Sequence, residues 1–127
     1  MAFTERKIIF HGDYFTTFYL AQSAKVQEKI EFVLRIIRQV ERIPQTFLKH
    51  IEGIDSLYEV RIQYGSDIYR IFCCFDEGYV VVLFNGFQKK SQKTPANELE
   101  LATKLMNEYV DQKTEQHEQP NQKPKKR

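Results

Sequence analysis

No stretch of this 127-residue sequence comes near the roughly 20 consecutive apolar residues that a helix needs to cross a bilayer. The opening residues, MAFTERKIIFHGD, also lack the apolar centre of a secretory signal, so a cytoplasmic protein is expected. Cysteine is scarce. Cys73 and Cys74 are adjacent, and neighbours in a strand point to opposite faces, which argues against a bridge and predicts two buried, reduced thiols. The three histidines, His11, His50 and His117, lie far apart, and no Cys, His and carboxylate set has the spacing of metal ligands.

An excess of charge is also missing. Five of the 19 basic and three of the 17 acidic residues lie from Asp111 onward, which leaves 14 of each sign in the first 110 residues. A neutral domain does not bind nucleic acid through many dispersed phosphate contacts. Any RNA or DNA role must therefore use a local patch or a partner. Tryptophan is absent, but ten Phe and seven Tyr supply rings for packing, and a hydrophobic content of 42% suffices for one small core.

What is present begins with Glu5–His11, a first strand centred on Ile8, Ile9 and Phe10. Gly12-Asp13 breaks it, with Asp13 as N-cap of a short helix through Gln22. After Ser23, Val26, Ile30, Val33, Ile37 and Val40 recur at spacings of four and three, predicting an amphipathic helix over Ala24–Arg42 that packs on a sheet. Pro44 requires the helix to stop. Phe47, Leu48 and Ile51 then form a short amphipathic segment ending at Gly53.

Residues 57–95, LYEVRIQYGSDIYRIFCCFDEGYVVVLFNGFQKKSQKTP, organise the rest. Leu57–Gln63 alternates, with Leu57, Glu59, Arg61 and Gln63 on one face and Tyr58, Val60 and Ile62 on the other. Tyr64-Gly65-Ser66-Asp67 and Asp76-Glu77-Gly78 read as turns. Between and after them lie Ile68–Phe75 and the apolar run Tyr79–Phe84, the latter suited to burial on both faces. Connections this short predict an antiparallel three-stranded meander. Thr94-Pro95 signals a final helix with Leu99, Ala102, Met106 and Tyr109 on its apolar face, reaching about Val110. The expected division is a domain over 1–110 and a disordered polar, basic tail over 111–127.

The meander carries Arg61 in its first strand, Arg70 in its second, and Lys89, Lys90 and Lys93 after its third. A strand arginine is costly unless it meets water or an anion. Provided the register allows, pairing about the Tyr64–Asp67 turn places both arginines on one face near the lysines, a compact site for phosphate oxygens. The competing reading of Arg61 is an ion pair with Glu59 or Asp67.

Three segments in order, Leu57-Tyr58-Glu59-Val60-Arg61, Tyr69-Arg70-Ile71 and Gly86-Phe87-Gln88-Lys89-Lys90-Ser91-Gln92-Lys93-Thr94-Pro95, resemble the HigB/RelE-type toxins of bacterial toxin–antitoxin modules, in the HigB-like branch related to phage-derived proteins. The resemblance spans most of residues 5–110. It implies an α+β, RelE/ParE-like fold: an N-terminal strand and helices, the antiparallel meander, and a C-terminal helix. It further implies an endoribonuclease, or mRNA interferase, that inhibits translation by cutting messenger RNA on the ribosome. The implied partners are the ribosome with its message and a cognate antitoxin, commonly of helix-turn-helix type. No metal or organic cofactor is implied.

Metal-free cleavage by the RNA's own 2′-hydroxyl needs a base, a cation on the phosphorane and an acid for the leaving oxygen. By family position, Arg61 and Arg70 fall where the RelE-type fold carries functional basic residues. Lys89 or Lys90 would add a cation and proton donor, and Lys93 would hold a flanking phosphate. Glu59 and Tyr69 are the candidates for the base and for contact to RNA. Glu59 stands where some relatives carry a lysine. Some HigB proteins use histidine in the site, and none lies in residues 57–95. Two other readings share the fold: a ParE-like poison of DNA gyrase, and a non-catalytic remnant that only binds antitoxin. A surface near Phe15, Phe18 and Tyr19 is the candidate for antitoxin contact, against burial in the core.

Overall fold

The chain alternates short strands and helices in the order β1 (Lys7–Phe10), α1 (Tyr14–Leu20), α2 (Ala24–Gln39), β2 (Leu48–His50), β3 (Tyr58–Tyr64), β4 (Asp67–Asp76), β5 (Val80–Lys89) and α3 (Ala96–Gln122). This computed structural model describes residues 3–122, those from 116 on as backbone only. The five strands form one sheet in the order β1-β5-β4-β3-β2. β3, β4 and β5 are the expected antiparallel meander, and β1 joins its far side parallel to β5, with Ile8 opposite Val81.

The sheet is covered on both faces. Helices α1 and α2 bury Phe15, Phe18, Val26, Ile30, Val33 and Ile37 against Val60, Ile62, Ile71, Val81 and Leu83. On the other face α3 lays Ala102, Leu105 and Met106 over Leu57, Phe72, Val82, Phe84 and Phe87. Cys73 belongs to the first layer and Cys74 to the second, as their adjacency requires, and both are free thiols. Burial pushes the Cys74 thiol up to about 12. Val81 to Phe84 are all fully buried, as expected of a strand covered on both sides.

Local chemistry explains the boundaries. Ser23 caps α2, its hydroxyl accepting from the Val26 N–H at 3.3 Å. Asp13 holds the N-cap position of α1 but makes no side-chain cap bond, and α1 stops at Leu20 rather than Gln22. Helix α2 ends at Gln39, so Val40 of the expected stripe is half-exposed while the other four residues are buried. The Arg6 guanidinium finishes that end, donating to the carbonyls of Ile37, Val40 and Glu41 at 2.7–2.8 Å.

Three elements differ from the sequence reading. The Phe47–Ile51 segment contains a true strand, β2, which pairs antiparallel with β3 (Lys49 opposite Glu59). Strand β5 does not end at Phe84 but runs to Lys89, through an irregularity opposite Ile71–Cys73. Such a bulge re-aims one side chain: Asn85 donates to the Glu98 carbonyl and carboxylate in the first turn of α3 at 3.1 and 2.9 Å. Finally, α3 does not stop near Val110 but continues through Gln122. Its Gln, Lys and Glu residues fit a solvated coil by composition but are equally good helix formers. Tyr109 and Lys113 also hold it to the β4–β5 turn, donating to Asp76 at 2.6 and 2.8 Å. The rest of the expected tail, 123–127, lies outside the described residues.

Gly86 is needed for space. It faces the helical layer opposite Ile71, and a Cβ there would lie 2.6 Å from Phe18 Cδ2. Gly86→Ala is expected to destabilise the fold by about 1–3 kcal/mol through overpacking. Thermal unfolding followed by far-UV circular dichroism would read this as a lowered Tm with unchanged helix content.

Candidate functional site

Register brings the two strand arginines together. Arg61 on β3 lies directly opposite Arg70 on β4, on the face that also carries Phe87 and α3. Like charges in that relation repel, and Glu59 resolves the conflict. Its Oε2 lies 3.2 Å from Arg61 Nε and 3.5 Å from Arg70 Nε, so one carboxylate oxygen serves both cations. The sequence alternatives for Arg61 therefore coexist: it pairs with Glu59, and it shares a face with Arg70.

The two arginines are not equivalent. The Arg70 side chain is 8% exposed and that of Arg61 is 30% exposed. Burial lowers the Arg70 pKa, opposed by Glu59 and reinforced by Arg61. Arg70 Nη1 donates to the Tyr69 carbonyl at 3.2 Å. Neither buried Nε makes a well-directed hydrogen bond among the described residues, so both are held by charge rather than by a directed bond. Arg61 is thus the guanidinium with room to engage a ligand, and Arg70 is the one locked beneath it.

Around this pair the sheet opens. A cavity of about 310 Å³ is lined by Arg61, Arg70, Gln63, Ile68, Ile62, Thr46, Phe47 and Lys29. It sits where β2 has ended and the edge of β3 is uncovered beyond Arg61, whose N–H donates to the Phe47 carbonyl at 2.8 Å. Lys89 lies opposite Ile68, one step along the same face, and lines an adjoining cavity with Lys90, Ser91 and Gln92. The extended β5 is what carries Lys89 into the sheet. Lys93 is exposed in the β5–α3 connection, its carbonyl accepting from the Ser91 hydroxyl at 3.1 Å.

Tyr69 falls outside this group. It is 4% exposed, on the opposite face, with its ring 6.3 Å from that of Phe18 in a T-shaped contact. Its hydroxyl pKa is raised by burial and then by Asp67. The alternation that puts Arg70 on the open face puts Tyr69 in the core, away from the arginine cavity. The surface expected near Phe15, Phe18 and Tyr19 is likewise mostly core, with Phe15 and Phe18 both buried.

One residue joins the site that the sequence reading did not include. Lys49 on β2 stands opposite Glu59, whereas His50 stands opposite Tyr58 with the two rings 5.1 Å apart, on the other face. Lys49 and His50 line a second cavity, about 370 Å³, with Glu59 and Thr94. The signal was the short Phe47–Ile51 segment: read as a strand paired to β3, it would have delivered Lys49 to the Glu59 face. Among the described residues no group of three or more His, Cys, Asp or Glu side chains is placed to hold a metal ion. No helix among them is long and apolar enough to cross a membrane.

The family model for "Phage derived protein Gp49-like (DUF891)" matches residues 18–107, which include the whole meander and every charged group just described. The chain belongs to the Gp49-like family of phage-derived proteins. Among solved structures, a mutant of the E. coli toxin RelE in the free state, with two arginines replaced by alanine, is similar at a TM-score of 0.58 and 18% identity. That match covers 80% of this chain and 97% of RelE. The RelE of an archaeal RelE–RelB complex from Pyrococcus horikoshii is similar at a TM-score of 0.51 and 13% identity, covering 72% of this chain and all of that one. Both likenesses establish a RelE-type fold for this Gp49-like chain. Among curated proteins, none matches in sequence.

Proposed function

We propose that this Gp49-like protein is the toxin of a toxin–antitoxin pair and cleaves messenger RNA on the ribosome. The observation that carries the reading is the Arg61–Glu59–Arg70 cluster opening on a cavity beside Lys89, on a RelE-type fold. In the reaction, a base takes the proton of the 2′-hydroxyl and the O2′–P bond forms. The P–O5′ bond then breaks and the 5′-oxygen takes up a proton. Arg61 is assigned the phosphorane oxygens, which its planar fork of donors matches. Arg70 positions Glu59 and Arg61 from beneath, and Lys89 or Lys90 supplies the further cation and the proton. Lys93 meets a flanking phosphate from the exposed loop. Glu59 is the base candidate, and Lys49 stands opposite it on β2. Positioning of the message by the ribosome would carry much of the rate.

The Pyrococcus RelE was solved together with RelB, which supports a cognate antitoxin as partner here. A helix-turn-helix antitoxin and a cytoplasmic site of action follow from the same reading. The gyrase poison and the non-catalytic remnant share the fold, but neither calls for two arginines converging on an open cavity.

Inducible expression in a bacterial host, with primer extension on an abundant message, tests the proposal. Growth arrest with new in-frame cuts is expected. Arrest with broken DNA and intact messages would move the protein to the gyrase class, and absence of arrest would leave antitoxin binding as its role.

A further inference from the structure

Past the arginine cavity the surface turns round the uncovered edge of β3 and changes character. Lys29 lines that cavity and also a neighbouring one of about 400 Å³, bounded by Lys25, Glu28, Phe32 and Tyr64. Two large rings stand in the open here: Tyr64 is 42% exposed and Phe32 is 43% exposed. Neither position is needed for the core. Tyr64 ends β3 on the α2 side of the sheet, and Phe32 lies off the buried stripe of α2. Phe32 is held edge-on to Phe47 at 6.4 Å, and Lys29 Nζ sits 5.2 Å from its centroid. Among the described residues, neither Lys25 nor Lys29 pairs with a carboxylate. Glu28 is the one acidic residue lining the patch.

Exposed rings flanked by unpaired lysines, continuous with a phosphate-type cavity, match what a single-stranded nucleic acid presents: base faces alternating with phosphates. We infer that Tyr64 and Phe32 form a stacking platform for the base of the nucleotide next to the phosphate held at Arg61, with Lys25 and Lys29 on the following phosphate. This rests on the RNA-cleavage reading and adds to it a path for the strand, from Lys89 past Arg61 and around the β3 edge to α2. Stacking is tolerant of sequence, because every base offers a π-face. This platform would hold the strand without choosing a codon.

The test is an NMR titration of the full-length protein with tetrauridylate and with an abasic ribose-phosphate tetramer of equal length. Tetrauridylate is expected to shift the ring protons of Tyr64 and Phe32 together with the Arg61 side-chain N–H. The abasic tetramer should move the arginine and the Lys25 and Lys29 side chains without the Tyr64 ring. Tyr64→Leu, at an exposed position, should weaken tetrauridylate at least about fivefold and leave the abasic tetramer unaffected, while Tyr64→Phe should bind as wild type. Arginine shifts without ring shifts would overturn the platform and leave the phosphate site standing. Ring shifts without arginine shifts would fail the cleavage reading instead. No response from either group would overturn both. Ring shifts produced by the purified antitoxin and not by RNA would make the patch a protein-docking surface and overturn the inference.

Discussion

Glu59→Ala is expected to destabilise the protein by about 3–5 kcal/mol, the usual effect of removing one partner from a buried ion pair. The geometry makes this site a severe instance. Glu59 is buried, and its Oε2 is the counter-charge for two guanidiniums that lie opposite each other on neighbouring strands. Without it, Arg70 keeps its burial and the repulsion from Arg61, the two influences that already lower its pKa, and loses the one that raises it. Chemical denaturation should show the midpoint falling at unchanged slope. The compensating variant is Glu59→Ala with Arg70→Met, which removes the stranded charge and should recover most of the loss. A Glu59→Ala protein within about 1 kcal/mol of wild type would mean that Glu59 does not bear this load, and would free it for a purely chemical role.

The sequence made the meander legible because its turns are marked by Gly65 and Gly78, its first strand by alternation and its third by an apolar run. A shared face for Arg61 and Arg70 depended on the register about Tyr64–Asp67, and the one-to-one pairing there supplies it. Helix α2 was equally plain, since Val26, Ile30, Val33 and Ile37 keep helical spacing and all are buried. Other features were hidden for physical reasons. β2 is three residues long, too short for a period to declare itself, yet it carries Lys49 to Glu59. The irregularity in β5 falls next to Gly86, where a glycine inside a strand is a bulge signal, and Asn85 there bonds to Glu98 across a sequence gap. Tyr69 neighbours Arg70 in sequence, and in a strand that proximity is what places it on the other face. Helix α3 is tethered beyond Val110 by Lys113 to Asp76 and Glu77, contacts across the sequence that no composition rule can anticipate.

Arg61→Ala is expected to lower the rate of message cleavage by about 10²–10³, the usual consequence of deleting one donor to a developing oxyanion. Its stability should stay within about 1 kcal/mol of wild type. The Arg61 side chain is partly exposed, and its removal leaves Glu59 and Arg70 as a balanced pair in place of a cluster with one excess positive charge. Arg70→Ala has no such separation: it empties a buried position and strips Glu59 of its buried partner, so loss of activity there would follow from loss of structure as well as from chemistry. The discriminating comparison is therefore Arg61→Ala against Arg61→Lys, with cleavage and Tm measured on the same preparations. Lysine keeps the charge but not the fork, so it should restore at most about a tenth of the lost rate if the guanidinium grips two phosphoryl oxygens. Full restoration by lysine would reduce Arg61 to a source of field. Unchanged cleavage in Arg61→Ala would remove it from the site and shift the phosphate to Lys89 and Lys90 on the adjoining cavity.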